Sequence, residues 1–120
     1  METPSDPFEI VEEIVHGVPT RVFRHQPPTL RAIWDMSAAH GDATYLVYGD
    51  ERWTFADAHR MVRAFAHRLV HEVGVVQGER VAIATRNYPE WAIAYWATVS
   101  LGAVAVPLNA WWTGPELAFG

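Results

Sequence analysis

The chain has 120 residues, of which 50% are hydrophobic and 12% aromatic, which predicts a folded domain or part of one. Its formal charge is −5 and the excess acid lies in the first 13 residues, so the basic face of a nucleic-acid-binding protein is not expected. The absence of cysteine excludes disulfides, thiolate zinc sites and a cysteine nucleophile, and it fits a reducing cytoplasm.

The first predicted element is a helix over residues 8–16, because apolar residues recur there at helical spacing. Its apolar face and its acidic face are formed by Phe8, Val11, Ile14 and Val15 and by Glu9, Glu12 and Glu13, respectively. Gly17 is predicted to end this helix. Residues 20–24 alternate as a short strand would, and a proline pair at 27–28 then interrupts the chain.

The next elements are a helix over residues 30–40 and a β-hairpin. Thr29 is predicted to cap the helix at its N-terminus, and Gly41 follows its C-terminus. Residues 45–48 and 52–54 have the composition of strands. Gly49 and Asp50 lie between them, and this dipeptide is suited to a tight turn.

The clearest helix follows the hairpin. Thr54 with Asp57 three residues later resembles a capping box, and Gly74 is a stop signal at the other end. Between them one apolar stripe is formed by Phe55, Ala58, Val62, Phe65 and Leu69. The opposite, solvated face is predicted to hold His59, Arg60, Arg63, His67, Arg68 and His71.

Two of these histidines have a spacing that can hold a metal ion. His67 and His71 are four residues apart, so they share one face of a helix. The HExxH pattern is absent, and Arg63 and Arg68 bring positive charge near any cation. We therefore interpret this pair as part of a solvated helix face.

A parallel βαβ unit is predicted over residues 81–106. Two short apolar strands at 81–84 and 103–106 flank a helix that Asn87 is predicted to cap, with Pro89 and Glu90 in its first turn. The uncharged run over residues 91–115 has an alternative interpretation as a membrane span. Gly102 and Pro107 interrupt it, which favours a buried helix followed by a buried strand. A last helix is predicted to begin near Thr113.

No catalytic constellation is recognisable. Neither a GxGxxG nor a GxxxxGK[ST] phosphate loop occurs, and no serine lies in a G-x-S-x-G elbow. The carboxylates Asp42, Asp50, Asp57 and Glu79 lie at predicted turns and caps, where such residues are usually structural. The pair Trp111 and Trp112 is open to two interpretations, as core or as a surface that meets something else.

Four segments after residue 50 are informative together, in the order ERWTFADA, AFAHRLV, GVVQGERVAIATRNYPEWAIAYWATVSLGAVAVPLN and TGPELAF. With them the sequence from residue 51 to 117 resembles the start of the adenylate-forming (AMP-binding) enzyme superfamily, which includes acyl-CoA synthetases, luciferases and the adenylation domains of peptide synthetases. Residues 8–50 are most similar to fatty-acyl-CoA ligases, though less specifically. Glu79 departs from the more usual Asp but keeps the carboxylate.

The resemblance implies an α/β fold. It would be an incomplete N-terminal portion of the acyl-CoA synthetase-like large domain, with a β-hairpin and a parallel βαβ unit. Residues 1–28 would form an acidic N-terminal extension, and residues 29–120 would form the start of the AMP-binding N-terminal domain. The remainder of that domain is the implied partner. A homo-oligomer is left open, as is peripheral membrane attachment of a cytoplasmic enzyme.

The resemblance also implies a two-step reaction. A fatty acid or other carboxylic acid would attack ATP with the help of Mg²⁺ to give an acyl-adenylate, and CoA would then displace AMP. The family's catalytic and nucleotide-binding motifs match no position of this sequence, so no catalytic, cofactor-binding or metal-binding residue is predicted here. We expect the 120 residues alone to be inactive, marginally stable and apolar on part of their surface. A carrier protein as acceptor and a non-catalytic truncated paralogue are the alternatives.

Overall fold

The computed structural model describes residues 6–120, and it has an α/β fold, as the sequence predicts. Its elements in chain order are β1 (Ile10–Val15), β2 (Val18–Phe23), α1 (Leu30–Ser37), β3 (Thr44–Tyr48), β4 (Glu51–Thr54), α2 (Phe55–Arg68), β5 (Arg80–Ile83), α3 (Pro89–Ser100), β6 (Val104–Pro107) and α4 (Gly114–Phe119). A 3₁₀ turn, Ala38–His40, extends α1, and a π-helical turn, Leu69–Val73, extends α2.

The predicted helix over residues 8–16 is wrong, because β1 and β2 form an antiparallel hairpin there. Val15 pairs with Val18, so the loop consists of His16 and Gly17 alone. Both loop residues have positive φ, 50° and 82°, which is the backbone of a type I′ turn. The β-branched residues on both sides of this turn favour extended backbone. A nine-residue helix would be only marginally stable on its own, so the paired strands are the more stable structure here. The predicted second strand is confirmed.

The second hairpin and the helix after it are confirmed. Tyr48 pairs with Glu51, and Gly49 has φ 56° in the two-residue loop. The capping box at the start of α2 is complete. The Asp57 N–H donates to Thr54 Oγ1 at 3.0 Å, and the Thr54 N–H donates to the Asp57 carboxylate at 3.2 Å. Gly74 ends the helix in the left-handed conformation, at φ 84°.

The parallel βαβ unit is also confirmed. β5 and β6 pair in parallel, from Arg80 opposite Val104 to Ile83 opposite Pro107. The run over residues 91–115 is divided among α3, β6 and the segment leading to α4. No helix in the described part of the chain is both long and apolar enough to cross a membrane. The buried-helix interpretation of this run therefore describes the structure.

The core lies where α3 packs against α1 and α2. Its buried side chains are Trp34, Ala58, Val62, Leu69, Val75, Ile93, Ala97 and Ala103. His59 belongs to this core, with 7% of its surface exposed, so its assignment to the solvated face of α2 is wrong. The Trp34 ring of α1 stacks on the His59 ring with 3.9 Å between centroids, and this contact covers the imidazole.

Much apolar surface remains open, as expected for a segment of a larger domain. Phe8, Ile14 and Val18 of the first hairpin region are at least 60% exposed, and Val104 of the β5–β6 pair is 49% exposed. A parallel sheet is normally covered on both faces. Within residues 6–120, the β5–β6 pair thus exposes apolar surface that a parallel sheet normally buries.

The predicted N-cap of α3, Asn87, is wrong, whereas the predicted N-cap of α2, Thr54, is confirmed. Alanine substitutions at these two positions can therefore be compared. The N-cap of α3 is Tyr88, and it makes no side-chain capping bond. We expect Thr54→Ala to cost about 1 kcal/mol of unfolding free energy, since it removes the acceptor for the Asp57 N–H. Asn87→Ala should change it by less than about 0.5 kcal/mol. Urea denaturation measures both, and equal losses would contradict the assignment.

Candidate functional site

The carboxyl ends of β5 and β6 open onto one groove. In parallel α/β sheets this edge is where ligands bind, because the loops that follow the strands diverge there. The groove has a volume of about 590 Å³. It is lined by the segment that follows β5, the first turn of α3, the segment that follows β6 and one residue of β3, namely residues 85–88, Trp91, residues 108–111 and Tyr48.

An arginine and an indole join the two loops of the groove. The Arg86 guanidinium carbon lies 3.7 Å from the centre of the Trp111 ring, which is a cation–π contact. Asn109 fixes the second loop, since its side-chain oxygen accepts a hydrogen bond from the Trp111 N–H at 3.0 Å. Trp111 is 72% exposed and Trp112 is 37% exposed. Neither indole is therefore buried within residues 6–120, which agrees with the surface interpretation of this pair.

Two tyrosines form the other wall of the groove. The rings of Tyr48 and Tyr88 meet edge to face with 5.3 Å between centroids. Partial burial raises the pKa of the Tyr48 phenol, and Tyr88, Glu51 and Glu90 act in the same direction. Tyr48 is therefore neutral at pH 7 and can donate a hydrogen bond, but it is not a base.

The carboxylates have structural partners, as predicted for Asp57 and Glu79. Hydrogen bonds from the Thr54 N–H and hydroxyl lower the pKa of Asp57, and Arg60 adds to the effect. Glu79 accepts a bond from the Val76 N–H at 2.9 Å. Glu116 closes a capping box with Thr113, and these bonds lower its pKa. These carboxylates hold turns and helix ends together.

The residues that line the groove include no carboxylate and no imidazole. Within residues 6–120, no group of three or more His, Asp or Glu side chains is arranged to hold a metal ion. The groove residues supply aromatic faces, amides and one guanidinium. Sequence reasoning did not single out Arg86. The available signal was its position just after a parallel strand.

The family model described as AMP-binding enzyme matches residues 33–120. Among curated relatives, the medium/long-chain-fatty-acid–CoA ligase FadD6 of Mycobacterium tuberculosis is 38% identical over 84 residues, which is 70% of this chain and 14% of that protein. A crotonobetaine/carnitine–CoA ligase of Salmonella paratyphi A is 30% identical over 96 residues, which is 75% of this chain and 18% of that protein. The chain thus spans less than a fifth of the length of these relatives.

The solved structures agree on the fold. The N-terminal subdomain of NpsA from Klebsiella oxytoca, in complex with anthranilyl-AMSN, superposes with a TM-score of 0.71 at 24% identity, over 76% of this chain and 24% of that one. The anthranilate CoA ligase AuaEII, in complex with anthranoyl-AMP, gives a TM-score of 0.70 at 26% identity, over 76% and 18%. The match of the family model to most of the chain shows that this protein belongs to the AMP-binding enzyme family, with the fold of part of an adenylation-domain N-terminal subdomain.

Proposed function

We propose that the chain is the N-terminal segment of a ligase that activates a fatty acid with ATP and transfers the acyl group to CoA. The observation that carries this proposal is the 38% identity to the fatty-acid–CoA ligase of M. tuberculosis over 70% of the chain. The crotonobetaine/carnitine–CoA ligase, at 30% identity, is also named as a CoA ligase. The proposed location of this ligase is the cytoplasm. Its self-association would be measured separately, from the oligomeric state of the protein at its natural length.

Within such a ligase this segment serves as scaffold. The described residues contain neither a GxGxxG nor a GxxxxGK[ST] phosphate loop, and the groove is lined by no carboxylate that could hold Mg²⁺. We therefore assign the binding of ATP, Mg²⁺ and CoA to the remainder of the AMP-binding domain. The open face of the β5–β6 pair and the carboxyl-edge groove are the surfaces on which that remainder would pack. The proposal also includes the division of the chain into an N-terminal extension, residues 1–28, and the start of the AMP-binding domain, residues 29–120.

A second candidate is an enzyme that adenylates an aromatic acid, for CoA or for another acceptor. The likeness to the anthranilate CoA ligase, at 26% identity and a TM-score of 0.70, favours it. The two candidates differ in the acid and in the acceptor.

The test is acid-dependent exchange between ATP and pyrophosphate, measured on the protein at its natural length. We expect exchange with fatty acids, followed by thioester formation with CoA. Exchange with anthranilate alone would favour the second candidate, and thioester formation only on a carrier protein would change the acceptor. No exchange with any acid would favour a non-catalytic paralogue and overturn the proposal.

The isolated 120 residues provide a complementary measurement. We expect calorimetry to show no heat of ATP binding and a weakly cooperative thermal transition, because the apolar surfaces of the parallel strand pair and the first hairpin are uncovered. A cooperative melt together with tight ATP binding would contradict the scaffold role.

A further inference from the structure

Two imidazole rings lie side by side at the C-terminal end of α2. The ring centroids of His67 and His71 are 4.2 Å apart, and the ring planes are inclined at 40°. Both side chains are exposed, so neither ring is held by core packing. Spacing along the chain shows only that the two residues share a helix face, whereas the structure shows that the rings converge.

The surroundings of this pair suit a cation better than the sequence suggests. Arg68 is engaged, since its Nε donates to both carboxylate oxygens of Glu72 at 3.1 Å. The Glu72 carboxylate offsets the charge of Arg68, so that Arg63, one turn before the pair, is the other positive charge on this part of the helix. The helix continues into the π-helical turn over Leu69–Val73 and ends at Gly74. Carbonyl groups at a helix C-terminus carry partial negative charge, which attracts cations.

We propose that His67 and His71 form an exchangeable site for a transition-metal dication of the Cu²⁺ or Zn²⁺ type. Modest rotation of the two exposed rings would bring one nitrogen of each to the distance of about 2.0–2.1 Å that imidazole–zinc bonds require. No third protein ligand completes the site within residues 6–120, so water occupies the remaining positions. Imidazole ligands favour Cu²⁺ over Zn²⁺ and do not suit Mg²⁺. The site is therefore separate from the Mg²⁺ of the proposed ligase reaction.

Isothermal titration of CuCl₂, ZnCl₂ and MgCl₂ into the chain tests this proposal, in a buffer that does not bind metals. We expect one site that binds Cu²⁺ more tightly than Zn²⁺, and no heat with Mg²⁺. His67→Gln and His71→Gln should each weaken metal binding at least about tenfold. Removing a residue that merely hydrogen-bonds to a metal ligand already has an effect of about this size, and these substitutions remove a ligand itself. Thermal melts verify that each variant is folded.

His25→Gln is the matched control, because it also removes one exposed histidine and lies outside the pair. Its affinity for both metals should equal that of the unaltered chain. Equal weakening in His25→Gln and His67→Gln would indicate scattered binding to surface histidines and would overturn the proposal. Absence of Cu²⁺ and Zn²⁺ binding would overturn it as well.

Discussion

Replacing Trp34 with alanine is expected to lower the free energy of unfolding by about 3–5 kcal/mol, the usual cost of removing a large buried aromatic side chain. Trp34 is 3% exposed. Its ring lies between two others, with centroid distances of 3.9 Å to His59 and 4.9 Å to Trp96. The truncation would therefore leave a cavity at the point where α1, α2 and α3 meet.

The stacked rings of His59, Trp34 and Trp96 also lie next to a hydrogen bond between α3 and β3. Trp96 Nε1 donates to the Tyr45 hydroxyl at 2.8 Å, and the Tyr45 ring lies 5.7 Å from that of Trp34. Loss of the central ring would loosen the position of Trp96 and with it this bond between α3 and β3. For this reason we expect Trp34→Phe, which keeps an aromatic face, to lie between the unaltered chain and the alanine variant.

Urea denaturation of the protein at its natural length, followed by circular dichroism, measures these differences without depending on tryptophan fluorescence. Trp111→Ala is the matched control, because it makes the same chemical change at a side chain that is 72% exposed. It should cost no more than about 1 kcal/mol, the value of an exposed cation–π contact with Arg86. Similar losses at both positions would show that the three-ring stack does not organise the core.

Local signals predicted the parts of the fold that local interactions determine. Thr29 and Thr54 cap α1 and α2 through their own hydroxyls, and Gly49 and Gly74 adopt the positive φ that their turns require. Each feature depends on residues within a few positions of one another. Two short apolar strands joined by a helix, over residues 81–106, predicted the parallel pairing of β5 and β6.

The first strand was predicted as a helix because the apolar residues of segment 8–16 fit both the period of a helix and that of a strand. Phe8, Val11, Ile14 and Val15 share a face at helical spacing, yet Val11 and Val15 also share a face of a strand. The deciding signal lay outside the segment, in the partner strand from Val18 and in the His16–Gly17 turn. A His-Gly dipeptide signals a type I′ turn less clearly than Asn-Gly does.

The groove and the core histidine could not be predicted because they depend on distant residues. Arg86 and Trp111 follow different strands and meet only after β5 and β6 pair. His59 lies beside the apolar stripe of α2, and only the docking of Trp34 from α1 turns that position into core. Helical periodicity places residues on a face, but it does not say how far that face is covered.

The buried position of His59 gives the second large expected effect, which is a dependence of stability on pH. The Ser37 hydroxyl donates to the Trp34 carbonyl oxygen at 2.6 Å, so its hydrogen is committed. His59 Nε2 lies 3.0 Å from the same hydroxyl oxygen and must therefore be the donor. Nε2 therefore carries a proton in the folded chain, and burial of the ring favours its neutral form.

Burial lowers the pKa of His59, and Arg63 lowers it further, while Asp35 acts in the opposite direction. Arg31 and Asp35, both on α1, line the same cleft as His59 and Arg63. Because the pKa is lower in the folded chain, the unfolded chain binds the proton first as the pH falls. The contribution of the neutral imidazole is therefore present above about pH 6.5, and it is lost as the pH falls from there through the folded pKa.

His59→Phe should remove this pH dependence while keeping a ring against Trp34. At pH 7.5 we expect it to cost about 1 kcal/mol for the lost bond to Ser37. Between pH 7.5 and 5 its unfolding free energy, measured by urea denaturation, should fall less than that of the unaltered chain. His25→Phe changes an exposed histidine and should retain the full fall. If His59→Phe loses as much stability on acidification as the unaltered chain, His59 is not the group that couples proton binding to the packing of α1 on α2.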